Sequence, residues 1–238
     1  MSDPRPGSLQ LPPGAREALE RVLHLLAEDP AAPSAVRDIE TGWRVHIADS
    51  LAGLEFGGLR RARCIADVGS GAGFPGIPLA AALPEARVDL IESVARKCAF
   101  IDRALESAAI ANARVVCDRS EEWSSVPPPD GGREAYEAVT ARAVGRMSTL
   151  AELAAPLLAE GGVLVAWKGR RDPEEERELE RAAHDLAMSP VSVDWVGPYA
   201  GSENRHIHVV RKRGPTPARL PRRPGMAKKR PLGRLGGR

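Results

Sequence analysis

The run Cys64-Ile65-Ala66-Asp67-Val68-Gly69-Ser70-Gly71-Ala72-Gly73-Phe74-Pro75-Gly76-Ile77-Pro78 constrains the fold of this chain more than any other stretch. It reads as a buried strand, a glycine-rich turn and the opening of a helix, which is how α/β proteins build a nucleotide-sized pocket. Glycines at 69, 71 and 73 remove every second side chain, so a ligand can lie against bare backbone and φ can turn positive. Pro75 and Pro78 suit a helix's first turn, where a missing N–H costs nothing. Gly71, Gly73 and Gly76 also stand at G-x-G-x-x-G spacing, so the turn by itself does not choose a ligand. Asp67 weighs the choice: a carboxylate at the strand end would repel a pyrophosphate and attract an ammonium group. S-adenosylmethionine carries that ammonium, a sulfonium and no phosphate.

The pattern on either side extends this unit into one α/β domain. Leu19, Val22, Leu23 and Leu26 recur at helical spacing, as do Ile39, Trp43, Ile47, Leu51 and Leu54, so two amphipathic helices precede the first strand. Strands are then expected at Arg63–Val68, Arg87–Ile91, Arg114–Cys117, Tyr136–Thr140 and Val163–Trp167. Helices are expected from about Gly76, from Ser93, across Arg146–Ala159 and across Glu174–Ala187. Val191–Val196 and His206–Val210 have no helix between them and predict a terminal hairpin with an antiparallel edge strand. A mostly parallel sheet with helices on both faces follows, with ligands at the strands' carboxyl ends. At 238 residues one main core is expected. It divides into a flexible leader (1–13), a helical extension (14–60), the α/β domain (61–213) and a basic, proline-rich tail (214–238).

Charge sets the tail apart. Eleven of the 34 basic residues and none of the 32 acidic ones lie after position 210, which leaves the rest of the chain with 23 against 32. A polybasic arm broken by prolines and glycines cannot fold by itself and suits phosphate backbones. Its removal is expected to spare cofactor binding and weaken RNA binding, unless part of it packs on the body. Three cysteines with no C-x-x-C pattern predict reduced thiols, no structural zinc and a cytoplasmic setting. No apolar run approaches a membrane span.

Other chemistry-bearing positions follow from place in the βαβ series. Glu92, ending the second strand, can accept bonds from both ribose hydroxyls of either an adenosylmethionine or an NAD; it also suits the helix that follows. Cys117-Asp118-Arg119-Ser120-Glu121 brings an acid and adjacent backbone to where an adenine edge would lie, or forms a solvated turn. Arg142, after the fourth strand, can hold a carboxylate or a base carbonyl. Lys168, Arg170 and Arg171 add a basic rim suited to phosphates. His46 and Asp49, three apart on a helix, read as a surface hydrogen bond, and His206 and His208 as strand residues.

DVGSGAGFPGIPLA, followed by LIES.ARK..F and a stretch ending in ARAV, resembles the RsmG family, also called GidB, the bacterial 16S ribosomal RNA guanine-N7 methyltransferases. RDIETGWRVHIADSLAGL, PLLAEGGVLVAWKG and GPTPARLPRRPGMAKKRPL resemble further parts of that family, so the likeness runs in order from about Val36 to Leu232. It implies a class I (Rossmann-like) methyltransferase fold and S-adenosylmethionine as cofactor. Its partner would be 16S ribosomal RNA or the small-subunit particle. Position by position it implies cofactor contacts at Gly69, Phe74, Ser120, Glu121 and Arg142; Gly71, Gly73 and Glu92 join them by the fold argument. Two departures stand out: Glu92 replaces a commoner aspartate, and VPPPDGGR lengthens a loop. No catalytic acid or base is assigned, no metal is expected, and the protein is expected to be a monomer. The alternatives are an NAD-dependent oxidoreductase and an RNA-binding protein that keeps the fold without catalysis.

Overall fold

A computed structural model describes residues 10–234. Seven strands form one sheet: β1 (Cys64–Val68), β2 (Arg87–Ile91), β3 (Ala113–Val116), β4 (Tyr136–Arg142), β5 (Leu158–Lys168), β6 (Met188–Trp195) and β7 (His206–Lys212), in the order β3-β2-β1-β4-β5-β7-β6. β1 to β5 are parallel, and β7 runs antiparallel to both β5 and β6. The hairpin is present, but its antiparallel strand lies inside the sheet and β6 forms the edge. Pro190 sits on that edge at a register shift, where a missing N–H interrupts nothing essential.

Apolar periodicity explains the layers. In α1 (Ala15–Glu28) the buried stripe is Leu19, Val22, Leu23 and Leu26, packed into the same core as Ile65, Val88 and Ile101. Each such side chain contributes about 1.5–3 kcal/mol relative to exposure. On the opposite face Met147, Leu150, Leu157 and Leu179 form a second layer with Val139 and Leu164. The helices after β1 and β2 are α2 (Gly76–Ala82) and α3 (Ala95–Ala108), the latter burying Cys98, Ile101, Leu105 and Ala108 as its spacing predicts.

Three boundaries differ from expectation. The helix after β4, α4 (Met147–Ala154), stops short of Ala159; Pro156 cannot continue it, and residues from Leu158 enter β5. The next, α5 (Pro173–Ala183), is N-capped by Asp172, passes into a 3₁₀ turn, and ends at left-handed Ala187. The helical run at 39–55 widens to a π-helix over Trp43–Ala48 before narrowing to a 3₁₀ turn. His46 lies within the π-helical stretch and Asp49 directly after it.

Candidate functional site

The glycine turn bends over the carboxyl end of β2. Gly69 N–H and Ser70 N–H both donate to the Ile91 carbonyl, at 2.8 and 3.2 Å. Glu92 holds the turn from beneath. Its Oε2 accepts from Gly71 N–H at 3.1 Å and its Oε1 from Val94 N–H at 3.0 Å, with Lys97 Nζ 3.5 Å away. Glu92 thus supports the turn and fixes the residue that opens α3, and it still lines the adjoining cavity. Gly71 has φ +62°, and a Cβ there would meet no atom nearer than the Gly69 carbonyl at 3.8 Å. That side of the turn is open, although Gly71 itself is not among the residues that line the cavity beside it.

Asp67 does not face that space. Its carboxylate is fully buried beneath the turn and accepts from Gly76 N–H at 3.1 Å and Thr140 Oγ1–H at 2.8 Å. Burial raises its pKa to about 6, against the lowering effect of these bonds. The expectation that Asp67 attracts a ligand's ammonium is therefore corrected. It pins α2 to β1 and β4, and the contrast with a pyrophosphate ligand does not rest on it.

A cavity of about 410 Å³ opens above the ends of β1, β2, β3 and β4. Gly69, Glu92, Ser120 and Glu121 line it, as the sequence reading expects, with Val94, Asp118, Thr149 and Leu153. Its size falls within the usual range for small-molecule sites. Gly69 brings backbone and Glu92 a carboxylate to this wall, and Val94 and Leu153 bring apolar surface. Glu121 has a second engagement: its Oε1 accepts from Gly225 N–H at 2.8 Å. Gly225, Ala227 and Lys228 complete the cavity wall. Sequence reasoning missed these three; the signal was the scatter of apolar residues, Leu220, Met226, Ala227 and Leu232 among them, inside a strongly basic tail.

Phe74 and Arg142 lie beside the cavity in a second cluster. The His46 ring stacks on Phe74 with centroids 4.5 Å apart and planes within 6°. The Arg142 guanidinium sits 5.5 Å over the same phenyl ring. It donates to Asp49 Oδ2 at 2.9 Å and to the Val45 carbonyl at 3.1 Å, and its Nη2 approaches His46 Nδ1 at 3.3 Å. His46 Nε2 meets Ser34 Oγ at 3.0 Å. Arg205 Nε lies 2.8 Å from the other Asp49 oxygen, so two arginines share one fully buried carboxylate. Burial first, then Arg142, depresses the His46 pKa to about 4, which keeps the ring neutral near pH 7 and able to accept from Arg142. His46 and Asp49 therefore belong to an interior knot and not to a helix-surface hydrogen bond. Gly73 lies within the turn, where a Cβ would strike Ile77 Cδ1 at 2.3 Å; its role is close packing of α2.

At the rim, Lys168 Nζ pairs with Glu175 at 2.7 Å and Arg171 with Glu176 at 2.6 Å, so acids on α5 engage these two basic groups. His206 and His208 are residues of β7. Among the described residues no cluster of three or more His, Cys, Asp or Glu side chains could hold a metal. No helix among them is long and apolar enough to cross a membrane.

The profile of the GidB family, rRNA small subunit methyltransferase G, matches residues 27–207. The ribosomal RNA small subunit methyltransferase G of Rubrobacter xylanophilus is 44% identical over 199 residues, covering 82% of this chain and 75% of the relative. That of Halalkalibacterium halodurans is 32% identical over 218 residues, 91% of this chain and 90% of the relative. Among solved structures, fibrillarin of Aeropyrum pernix in complex with natively bound S-adenosyl-L-methionine superimposes with a TM-score of 0.53 at 14% identity, covering 68% of this chain and 72% of that one. The fibrillarin pre-rRNA processing protein of Methanococcus jannaschii gives a TM-score of 0.53 at 17% identity, covering 70% and 74%. At these identities the structural likeness is one of fold, the Rossmann-like methyltransferase sheet.

Proposed function

The chain belongs to the GidB family of small-subunit ribosomal RNA methyltransferases, and from that premise we propose that it methylates N7 of a guanine in 16S ribosomal RNA. It is an S-adenosylmethionine-dependent enzyme. We read the cavity above β1–β4 as the cofactor site. The observation that carries this reading is the cavity's position at the carboxyl end of the parallel sheet, walled by Gly69 of the glycine turn and by Glu92, whose carboxylate also holds that turn. Gly69, Gly71 and Gly73 shape the cradle, Glu92 faces the ribose, and Ser120 and Glu121 flank the adenine end. Phe74 and Arg142 brace the methionine end, where the target base would enter.

S-adenosylmethionine supplies a methyl group on a sulfonium. Guanine N7 already offers an in-plane lone pair and carries no proton, so the chain needs no general base. Its work is alignment and exclusion of water. Arg142, held on Phe74 by Asp49 and His46, keeps a fixed positive charge at the edge of the site. A charge so placed can orient a carboxylate or the guanine O6 while leaving N7 free. In A-form RNA the N7 edge lies in a deep, narrow groove, so the target guanine must come from an opened segment. The substrate is then naked 16S RNA or the assembling small-subunit particle, met in the cytoplasm by a monomeric enzyme, with exposed basic groups of the tail on phosphates.

Two measurements test this. Adenosylhomocysteine is expected to raise the melting temperature and NAD to leave it unchanged. Methylation mapped in ribosomal RNA from cells with and without the protein is expected to differ at one guanine N7 of 16S RNA. Loss of a different mark, or none, would overturn the assignment.

A further inference from the structure

The tail after β7 is docked along its described length. Lys212 is buried, bonded to the Ala155 carbonyl and to Thr216 Oγ1, and anchors its start. Leu220 is 2% exposed, and its carbonyl accepts from Arg133 at 3.0 Å. Arg222 makes a two-pronged ion pair with Glu152, which is itself 3% exposed. The same guanidinium reaches the Arg230 carbonyl at 2.8 Å and so closes the loop 222–230. Within that loop Gly225 N–H binds Glu121, and the Ala227 carbonyl accepts from Thr149 Oγ1 at 3.1 Å. Beyond it the Gly233 carbonyl accepts from Arg181 at 2.7 Å.

We propose that residues 214–234 act as a strap whose docking and cofactor binding reinforce each other, with Arg222–Glu152 as the latch. The inference rests on the placement of S-adenosylmethionine in the cavity above β1–β4. Three of that cavity's lining residues, Gly225, Ala227 and Lys228, belong to the strap, and Glu121 touches both strap and cavity. A ligand in contact with body and strap has its full set of contacts only when the strap is down. It must therefore favour the docked form, and the docked form must favour the ligand by the same factor. Apart from Leu220, Ala227 and the half-buried Leu232 the segment is held by polar contacts, so it can lift without unfolding the sheet. Arg222 is a positioning residue: it acts through the loop it closes. Removal of the tail is thus expected to weaken cofactor binding, against the simple picture of a detached basic arm.

The test uses the full chain, an Arg222→Ala variant and a chain ending at Arg213, with adenosylhomocysteine as probe. Calorimetry reads affinity, and tryptic cleavage after Lys228 reads strap lifting. Saturating ligand is expected to slow that cleavage in the native chain by roughly fivefold or more, the usual lower range for coupled sites. Arg222→Ala is expected to lose affinity by a similar factor while cleavage speeds up, and the truncated chain to lose more. If the truncated chain does not fold, Arg222→Ala decides. Cleavage that ignores saturating ligand, or full affinity in an Arg222→Ala chain whose strap is cut faster, would overturn the strap. Binding that survives Gly71→Val unchanged would instead overturn the cavity placement itself, whatever the strap does.

Discussion

The glycine turn and the arginine knot lie beside the same strand ends and are built in opposite ways. The turn is local: residues 67–76, with one carboxylate from the next strand, make a ledge of backbone with an open side. The knot is assembled from Ser34, His46, Asp49, Phe74, Arg142 and Arg205, and its polar groups are paired with one another except at Asp49 Oδ1, which lies 2.8 Å from Arg205 Nε as an ion pair without a directed hydrogen bond. Emptiness suits a surface that must accept a ligand, and saturation suits one that must not move. The pairing implies that cofactor affinity is set by the first and the placing of the second reactant by the second.

The largest expected effect falls on the knot. Asp49→Ala leaves Arg142 and Arg205 without their buried carboxylate, which should cost about 3–5 kcal/mol of stability in chemical denaturation. A loss under 1 kcal/mol would mean that the arginines find water and that the knot is not rigid. Gly71→Val should come next. A branched residue at φ +62° is strained by about 1–2 kcal/mol and fills the ligand's side of the turn, so adenosylhomocysteine binding should fall below detection in a folded protein. Glu92→Gln keeps the shape but sets an amide against Gly71 N–H or Val94 N–H. Affinity should drop roughly tenfold, in line with a charge-assisted hydrogen bond, and calorimetry showing no change would make Glu92 a support of the turn alone.

The smallest effect is a pH dependence. An unfolded histidine takes up its proton near pH 6.5, whereas His46 in the fold holds out to about 4. Between those values the unfolded chain binds more protons, so this residue's contribution to stability is present above pH 6.5 and is lost as pH falls toward 4. His46→Gln should flatten that part of a stability–pH curve. An identical slope in both proteins would show that the stacked ring does not titrate as its burial requires.

Much of the turn was legible because its causes are contiguous. Strand, glycines and helix start follow within fifteen residues, and the strands that flank them bury Val88, Leu90, Ile91, Ala138 and Val139. Gly69, Glu92, Ser120 and Glu121 reach the cavity for the same reason: each ends a strand or opens the helix after it. Asp67 was misjudged since spacing says that a carboxylate stands at a strand end but not which way it points. His46 and Asp49 share a face, as their spacing predicts, but spacing does not say that Arg142 and Arg205 cover that face and take the carboxylate and the ring as partners. The wall formed by Gly225, Ala227 and Lys228 was out of reach for a different reason. It comes from contacts of Ala227 with Thr149 and of Gly225 with Glu121, 78 and 104 positions away, and no local periodicity announces those.

The strand order carries a consequence for how the molecule is made. β7 is synthesised after β6 yet sits between it and β5, so β6 has no partner until His206–Lys212 has been added. A growing chain can complete the five parallel strands and the glycine ledge, but it must hold β5 open for a strand still to come. Late, long-range pairing of this kind is slow and leaves an unprotected edge while it waits. Interruption of translation anywhere between residues 169 and 205 would yield a sheet whose last face is a row of unpaired amides and carbonyls, a substrate for chaperones and proteases before it could be an enzyme.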